Sequence, residues 1–489
     1  MKIKQKSISI NLIANGIKTL MSVLFPLITF PYASRVLGAS GIGKVNYATS
    51  IISYFSMFAA LGITTYAVRE GARIRDDKEK FSKFAKEMLY INLFTTVLAY
   101  AALLIFLCLP ILKNYKLLLV ILSGTIVFTT IGMEWLFIIR EEYAYITKRA
   151  VLFQFVSLIL LFLLVRSKDD YGWYAALTVI SSGGSAVLNL IYSRKLVNWR
   201  QKSVMEYKKH LKPILLIFGT SVASSIYMTM DTTMLGAMNG DTATGIYTAA
   251  VKINTVISTL IGTISSTILP RVSYYIGNGL KEEYKKLMKA SMDVLMMIAM
   301  PVSIGMMCTS DILILIFSGA EFLPGSLAAK ILSAKVVVGA VNRVLAYQIC
   351  IPYKRDKEVL ISTSGGAVFN LIANALLIPI WGVNGAAIAT LFSEIVVVLI
   401  LTMYTYKYFP VRLLYARGPV YFAASIWFFL CRYLMNQLFD NSILVLGSTV
   451  VICALGYFAI LVIIKDPYLK EFMRGFIERI KKLTGKQEV

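Results

Sequence analysis

Histidine occurs once in this 489-residue chain, at His210, and the five cysteines form no CxxC pair. That scarcity argues against a zinc site or a thiol redox motif, because both need clustered ligands. Cys108, Cys308, Cys350, Cys431 and Cys453 are scattered, mostly at or within apolar runs, and read as small buried hydrophobes. Long polar stretches are missing too. The widest gap between apolar runs is about 20 residues, too short for a catalytic module of its own. Charged residues make up only 16% of the chain against 57% hydrophobic ones, a balance outside the range of soluble domains. Acids are the scarcest charged class: 26 Asp and Glu face 50 Lys and Arg, for a formal net charge of +24.

What the chain does have is length in its apolar runs. About fourteen stretches suit a bilayer core that needs roughly 20 helical residues. They fall near 10–33, 43–66, 88–109, 117–139, 149–166, 172–193, 212–235, 244–268, 288–308, 328–351, 358–378, 384–406, 417–436 and 443–464. Lipid offers a backbone no hydrogen-bond partner, and the alternation of a barrel strand is absent. The expected fold is therefore an all-α integral membrane protein. Lys and Arg collect in alternate gaps, at 69–86, 194–212 and in the tail after Ile464, whereas 236–243 and 379–385 hold none. The positive-inside rule then puts both termini and the basic gaps in the cytoplasm, and same-side termini require an even number of spans. Topology accounts for the positive charge better than nucleic-acid binding does. Met1–Lys6 begins like a secretory signal, but the run behind it is a full span without a small-residue cleavage site and reads as a retained first helix.

An internal repeat is visible. Lys78-Glu79-Lys80-Phe81 through Lys86 matches Lys281-Glu282-Glu283-Tyr284 through Lys289 in its order of basic, acidic, aromatic and apolar positions. Leu37-Gly38 pairs with Leu235-Gly236, and Tyr174-Ala175-Ala176 resembles Gly385-Ala386-Ala387. Two pseudo-symmetric six-helix lobes are expected, at 1–205 and 206–410, with two extra helices and a basic cytoplasmic tail at 411–489. Six is even, so the repeat is parallel, an arrangement that places a transport path between the bundles. The two matching basic gaps read as interfacial helices with Phe81 and Phe84, or Tyr284, Leu287 and Met288, facing the lipid.

Charges inside spans are costly and mark function or pairing. Lys18, Asp231, Lys252, Asp293, Arg343, Glu394 and Arg432 fall inside the runs, and Glu134 and Arg140 near the inner end of the fourth. Asp293 and Arg432 lie close to helix ends and suit an interface. Arg343 and Glu394 are the hardest to explain as anchors, with a salt bridge between helices as the structural alternative. Lys18, Arg35, Lys252 and Arg343 are the candidate cations of a wet cavity that attracts an anion. Asp231 and Glu394 are the candidate carriers of a coupling proton or sodium ion. Pro26 and Pro31 should bend the first span, and Gly38, Gly41 and Gly43 give it a loose outer turn that suits a gate.

The stretch from Phe30-Pro31-Tyr32 through Arg35-Val36-Leu37-Gly38 to Gly41-Ile42-Gly43, continuing through Tyr54-Phe55 and Leu61-Gly62 to Arg69-Glu70, resembles the opening signature of Wzx-type polysaccharide repeat-unit flippases. Pro352 with Lys354, Arg355 and Lys357 resembles a later piece. These flippases form the polysaccharide transporter branch of the MATE-like exporter superfamily. The resemblance implies two six-helix lobes in a V, with spans 1, 2, 7 and 8 lining the gates. It implies alternating-access transport of undecaprenyl-pyrophosphate-linked oligosaccharide to the outer leaflet of a bacterial cell membrane for surface polysaccharides such as O-antigen or capsule. Membrane lipids, a polysaccharide polymerase and a chain-length regulator join the candidate partners. No metal, cofactor or nucleic acid is expected. The extra helix pair resembles that of lipid II flippases.

Two other classes compete. An antiporter for small cationic molecules on the same fold calls for acids facing the cavity, and the first lobe offers almost none away from helix ends. An enzyme needs a large extramembrane loop, and the pairs Asp76-Asp77 and Asp169-Asp170 sit in short gaps without supporting groups. A flippase is the reading the residues favour, without catalysis.

Overall fold

The computed structural model describes residues 8–202, 204–409 and 417–470. The Met1–Lys6 segment and the tail cations Arg474, Arg479, Lys481, Lys482 and Lys486 lie outside the described residues. Every regular element described is helical. In chain order they are α1 (Ile8–Ala60), α2 (Ile63–Ile74), α3 (Lys78–Leu107), α4 (Lys116–Gly132), α5 (Glu134–Ile139), α6 (Tyr143–Leu164) and α7 (Tyr171–Leu196). Then come α8 (Lys208–Gly277), α9 (Lys281–Ser318), α10 (Ser326–Arg343), α11 (Asp356–Thr405), α12 (Gly418–Ile426), α13 (Phe428–Leu438) and α14 (Ser442–Ile463). Among the described residues, 11 helical stretches are long and apolar enough to cross a membrane.

Three helices are far longer than one crossing: α1 has 53 residues, α8 has 70 and α11 has 50. Each is broken by one non-helical glycine. Gly38 lies at φ 68°, ψ 179°, Gly240 at φ 81°, ψ −173°, and Gly382 at φ 51°, ψ −123°. The first two occupy a region of backbone space open essentially to glycine alone. The sharp corner therefore falls at Gly38. Pro26 and Pro31 lie inside the unbroken first part of α1, and Gly41 and Gly43 are helical, so the expected loose turn is a single-residue corner. In the second repeat the corner is Gly240, four residues beyond the Leu235-Gly236 pair read from sequence.

Part of the order of elements recurs. A broken long helix opens each half (α1, α8); a helix starting at Lys78 comes after the short α2 in the first half and one starting at Lys281 comes directly after α8 in the second, and a short 3-10 turn then leads into α4 or α10. The helix after that turn ends in an irregularity both times. Met133 takes left-handed φ 42° after α4, and a π-helical segment, Val344–Cys350, follows α10.

By contacts the chain divides into two compact units. One holds the chain through Thr248 with Phe317–Glu321 and Asn374–Val383; the other holds Ala249–Ile316, Phe322–Ala373 and the chain from Asn384 on. In the first unit α4 packs along α7, and α1 lies against α3, α4, α6 and α7.

Local chemistry explains why α3 starts where it does. Asp77 caps it, its carboxylate accepting from the backbone N–H groups of Glu79 and Lys80. The basic segment at 78–86 is the first turns of this helix and not a separate interfacial one. Phe81 and Phe84 are buried in a core with Tyr66, Trp135, Ile139 and Ile214, which corrects the lipid-facing reading. Tyr284 and Met288 of α9 are buried likewise. Asp293, expected at an interface, is fully buried within α9, because that helix begins twelve residues earlier at Lys281.

The lone histidine ties the start of α8 to α2 and α3. Its Nδ1 meets Tyr66 Oη at 2.7 Å, and its Nε2 meets Glu87 Oε2 at 2.9 Å. The other Glu87 oxygen accepts from Glu206 N at 2.8 Å, and Lys86 donates to the Gln201 carbonyl. His210→Ala leaves two buried polar groups unpaired, a loss of about 1–3 kcal/mol. The expected result is a lower melting temperature with faster amide exchange across 204–214, measured by hydrogen–deuterium exchange. Unchanged exchange there would show that packing alone holds the segment.

Candidate functional site

A cavity of about 530 Å³ opens inside the first unit, between α1, α4, α6 and α7. Its polar end is built by the break after α4. The left-handed Met133 stops that helix and turns Glu134 to face Lys18 and Arg149. Lys18 Nζ donates to Glu134 Oε1 at 2.7 Å, and Arg149 Nη2 stands 3.5 Å from Oε2. Asn189 Nδ2 donates at 2.5 Å to the Gly132 carbonyl, which the break frees from its helical partner. Thr147 Oγ1 donates to the Ala14 carbonyl at 2.8 Å and pins α6 against α1.

The wall carries many more polar groups than it uses. Thr29, Thr129, Thr178, Ser181, Ser182 and Ser185 line it beside Phe25, Phe128 and Leu177. Arg149 Nε and Nη1, Gln154 Oε1, Ser157 Oγ and Asn189 Oδ1 are buried without a protein partner, and all four residues line the cavity. Buried polar atoms are nearly always satisfied, so a cluster of unsatisfied ones at one cavity marks a place for a polar guest. Two cations stand against one acid, with donors and acceptors mixed. Such a lining suits a solute that has both anionic oxygens and hydroxyls, and the volume falls in the range of small-molecule sites.

The other expected site residues lie elsewhere. Arg35 is exposed one turn before the Gly38 corner, with Nη1 donating to the Pro31 carbonyl at 2.8 Å. Lys252 is half-buried in α8 and has no ion-pair partner among the described residues. Arg343 ends α10, where the π-helical segment begins, with Nη2 3.5 Å from the Ser258 carbonyl. Glu394 is buried and accepts from Asn342 Nδ2 at 2.6 Å, with Lys335 Nζ at 3.9 Å. Its cationic neighbour is thus Lys335 and not Arg343. Asp231 is buried in the first unit and accepts from Asn374 Nδ2 at 2.6 Å and Tyr247 Oη at 2.9 Å. Arg432, read as interfacial, pairs with Asp311 at 3.3 Å.

Arg149, Gln154 and Asn189 escaped the sequence reading. The fifth apolar run begins at residue 149, so Arg149 reads as a boundary charge. The helix begins six residues earlier at Tyr143 and carries Arg149 inward.

A second assembly in the first unit surrounds the Gly38 corner. A Cβ on Gly43 would fall on the Asp241 carbonyl, and one on Gly245 would fall on the Ala39 carbonyl. The two contacts are reciprocal: each glycine lies five residues past its own repeat's corner and meets the residue just after the other's. Glu321 Oε1 accepts from Ala39 N at 3.0 Å and caps the helix that leaves the corner. Tyr115 Oη donates to Asp241 Oδ1 at 2.6 Å, and Thr233 Oγ1 bonds Ser50 Oγ at 2.9 Å.

The family model described as polysaccharide biosynthesis protein matches residues 6–276, and that of the lipid II flippase MurJ matches residues 185–465. An Escherichia coli (strain K12) protein that carries an O-antigen transporter name is 24% identical over 392 residues, 78% of this chain and 92% of that protein. A Haloferax volcanii protein that carries a low-salt glycan biosynthesis flippase name is 25% identical over 201 residues, 40% of this chain and 42% of that one. Among solved structures, lipid II flippase MurJ in an inward closed conformation superposes with a TM-score of 0.73 at 17% identity, covering 94% of this chain and 99% of that one. A MATE structure in complex with MaL6 gives a TM-score of 0.56 at 16% identity over 81% of this chain and 94% of that one. These likenesses show the fold.

Proposed function

The chain belongs to the polysaccharide biosynthesis protein family, within the MATE-like superfamily, and from that premise we propose that it is a flippase for oligosaccharide repeat units linked to undecaprenyl pyrophosphate. It moves them from the cytoplasmic to the outer leaflet of a bacterial cell membrane, with both termini in the cytoplasm, by alternating access and without making or breaking a covalent bond. Counted as two crossings each, the three broken helices would bring the 11 candidate spans among the described residues to the fourteen expected from the sequence. Lys18 attracts the pyrophosphate in the cavity, and Arg35, Lys252 and Arg343 are proposed as further cations met at other points of the path. A polysaccharide polymerase and a chain-length regulator act next to it.

The observation that carries this reading is the cavity around Lys18 and Arg149. Moving one sugar hydroxyl into hydrocarbon without a partner costs about 4–8 kcal/mol, so a repeat unit needs a polar route. The cavity wall offers hydroxyls and amides for sugars and two cations for phosphate. A small-cation antiporter would want the opposite charge balance. Native mass spectrometry of protein purified from cells that make lipid-linked oligosaccharide should show that lipid bound. Retention of undecaprenyl phosphate alone would contradict the reading.

Transport is coupled to a proton or sodium gradient through Asp231 and Glu394. Asp231 supports this best, since it is a buried carboxylate held by two donors from separate elements. Asp231→Asn is expected to remove the dependence of leaflet exchange on an imposed ion gradient and to slow exchange roughly tenfold, in the ordinary range of coupling energies. Exchange that still follows the gradient would exclude Asp231 as the carrier.

A further inference from the structure

Glu134 stands between two cations at the cavity wall. Its carboxylate bridges Lys18 on α1 and Arg149 on α6, so one acid neutralises cations from two helices. A purely structural ion pair with a buried member persists where geometry is tight and remaining protons are satisfied. The Lys18 contact is tight at 2.7 Å, but both of its side chains are partly exposed, and the contact to the buried Arg149 meets neither condition. Arg149 offers Glu134 one nitrogen at 3.5 Å and leaves Nε and Nη1 buried without partners. The fork of this guanidinium is built for two oxygens and receives a loose contact from one.

The segment that carries Glu134 is equally unusual. It is a six-residue helix between two non-glycine residues in left-handed conformation, Met133 at φ 42° and Glu141 at φ 55°. Such corners cost of order 1–3 kcal/mol each and cluster at switch segments. The far corner is held by Arg75 Nη1, 2.5 Å from Glu141 Oε1. The near corner is held at Gly132 by Asn189, whose Oδ1 is itself unpaired toward the cavity.

We propose that Glu134 is a resident counter-ion that holds Lys18 and Arg149 ready and is displaced from them by the pyrophosphate of the lipid-linked glycan. This rests on the flippase reading above and assigns the anion subsite within it. A pyrophosphate diester brings two charges and several acceptor oxygens to cations that share one carboxylate charge, and it fills the unused arms of Arg149. Ser157, Gln154 and Asn189 are left to meet the first sugar. When the head group departs, Glu134 returns, so the cations are never left unpaired and the anion is not held too tightly to leave.

The test is titration of the full-length protein in nanodiscs with inorganic pyrophosphate and, separately, farnesyl pyrophosphate, followed by calorimetry. Glu134→Gln removes the competitor while keeping its shape, and is expected to bind both probes about tenfold more tightly, a gain of about 1.4 kcal/mol. The same variant should slow leaflet exchange, because release becomes harder. Glu134→Asp, which keeps the charge and the fold but retracts the carboxylate by one methylene, should show a smaller gain. Lys18→Met should lose binding. If both Glu134 variants bind as the wild type does while Lys18→Met loses binding, displacement is wrong and the anion site stands. If neither the wild type nor any variant binds the probes, or Lys18→Met binds as the wild type does, while the wild type still exchanges lipid-linked glycan, the anion subsite lies elsewhere and the proposal is overturned with the flippase reading intact. Absence of both binding and exchange overturns the two together.

Discussion

Lys18→Glu should reduce leaflet exchange of a lipid-linked oligosaccharide by about a hundredfold or more, equivalent to roughly 3 kcal/mol of lost transition-state stabilisation. The substitution places a second carboxylate beside Glu134 and leaves Arg149 as the only cation, among the described residues, that Glu134 meets there. Like charges in a low-dielectric site disfavour each other and repel an incoming phosphate. Two controls separate substrate handling from folding. Lys18→Met removes the charge without the clash and should fall less far. Arg149→Lys keeps a charge but loses the planar fork, and should lose most of the exchange if two-oxygen recognition matters. Melting temperatures of all three in detergent tell whether loss of exchange outruns loss of structure. Full exchange by Lys18→Glu would remove this cavity from the transport path.

The second large effect concerns the reciprocal glycines. Gly43→Val and Gly245→Val are each expected to abolish transport and lower stability by about 1–3 kcal/mol or more, the cost of forcing extra methyl groups into a packed contact. In both cases the colliding atom is a backbone carbonyl, which has no rotamer to escape by. Gly240→Ala tests a different cause. A Cβ there meets nothing within 4 Å, so its cost is conformational only, of order 1–3 kcal/mol for a side chain in a glycine-only region. If Gly43→Val and Gly245→Val behave no worse than Gly240→Ala in thermal unfolding and in exchange, the close approach of these helices is not essential.

Much of this architecture is legible in the residues. Apolar runs set the helices because lipid leaves a backbone no other choice, and the Lys78 and Lys281 segments begin corresponding helices in the two repeats. Loop chemistry near Gly38 also pointed at a special position. What the residues conceal is partnership. Lys18, Glu134 and Arg149 lie on α1, α5 and α6 and meet only through the fold, and the apolar run that starts at 149 makes Arg149 read as a helix-boundary charge. Corners are harder still: a single glycine between two helices leaves no polar loop to announce it, so the Leu37-Gly38 and Leu235-Gly236 match aligns Gly38 with Gly236, whereas the second corner falls at Gly240. Phe81 and Phe84 failed for a related reason, since an apolar stripe beside lysines looks the same whether it faces lipid or the core that Trp135 and Ile214 complete.

The most direct measurement is leaflet exchange itself. Purified protein is reconstituted into liposomes with a fluorescent undecaprenyl-pyrophosphate-linked oligosaccharide, and an impermeant glycosidase reports how much glycan has reached the outer face. Exchange well above that of protein-free vesicles, lost in Lys18→Glu and Arg149→Leu, is the expected result. A rate equal to that of empty vesicles, or one that ignores both substitutions, would contradict a cationic polar passage for a phosphorylated glycan.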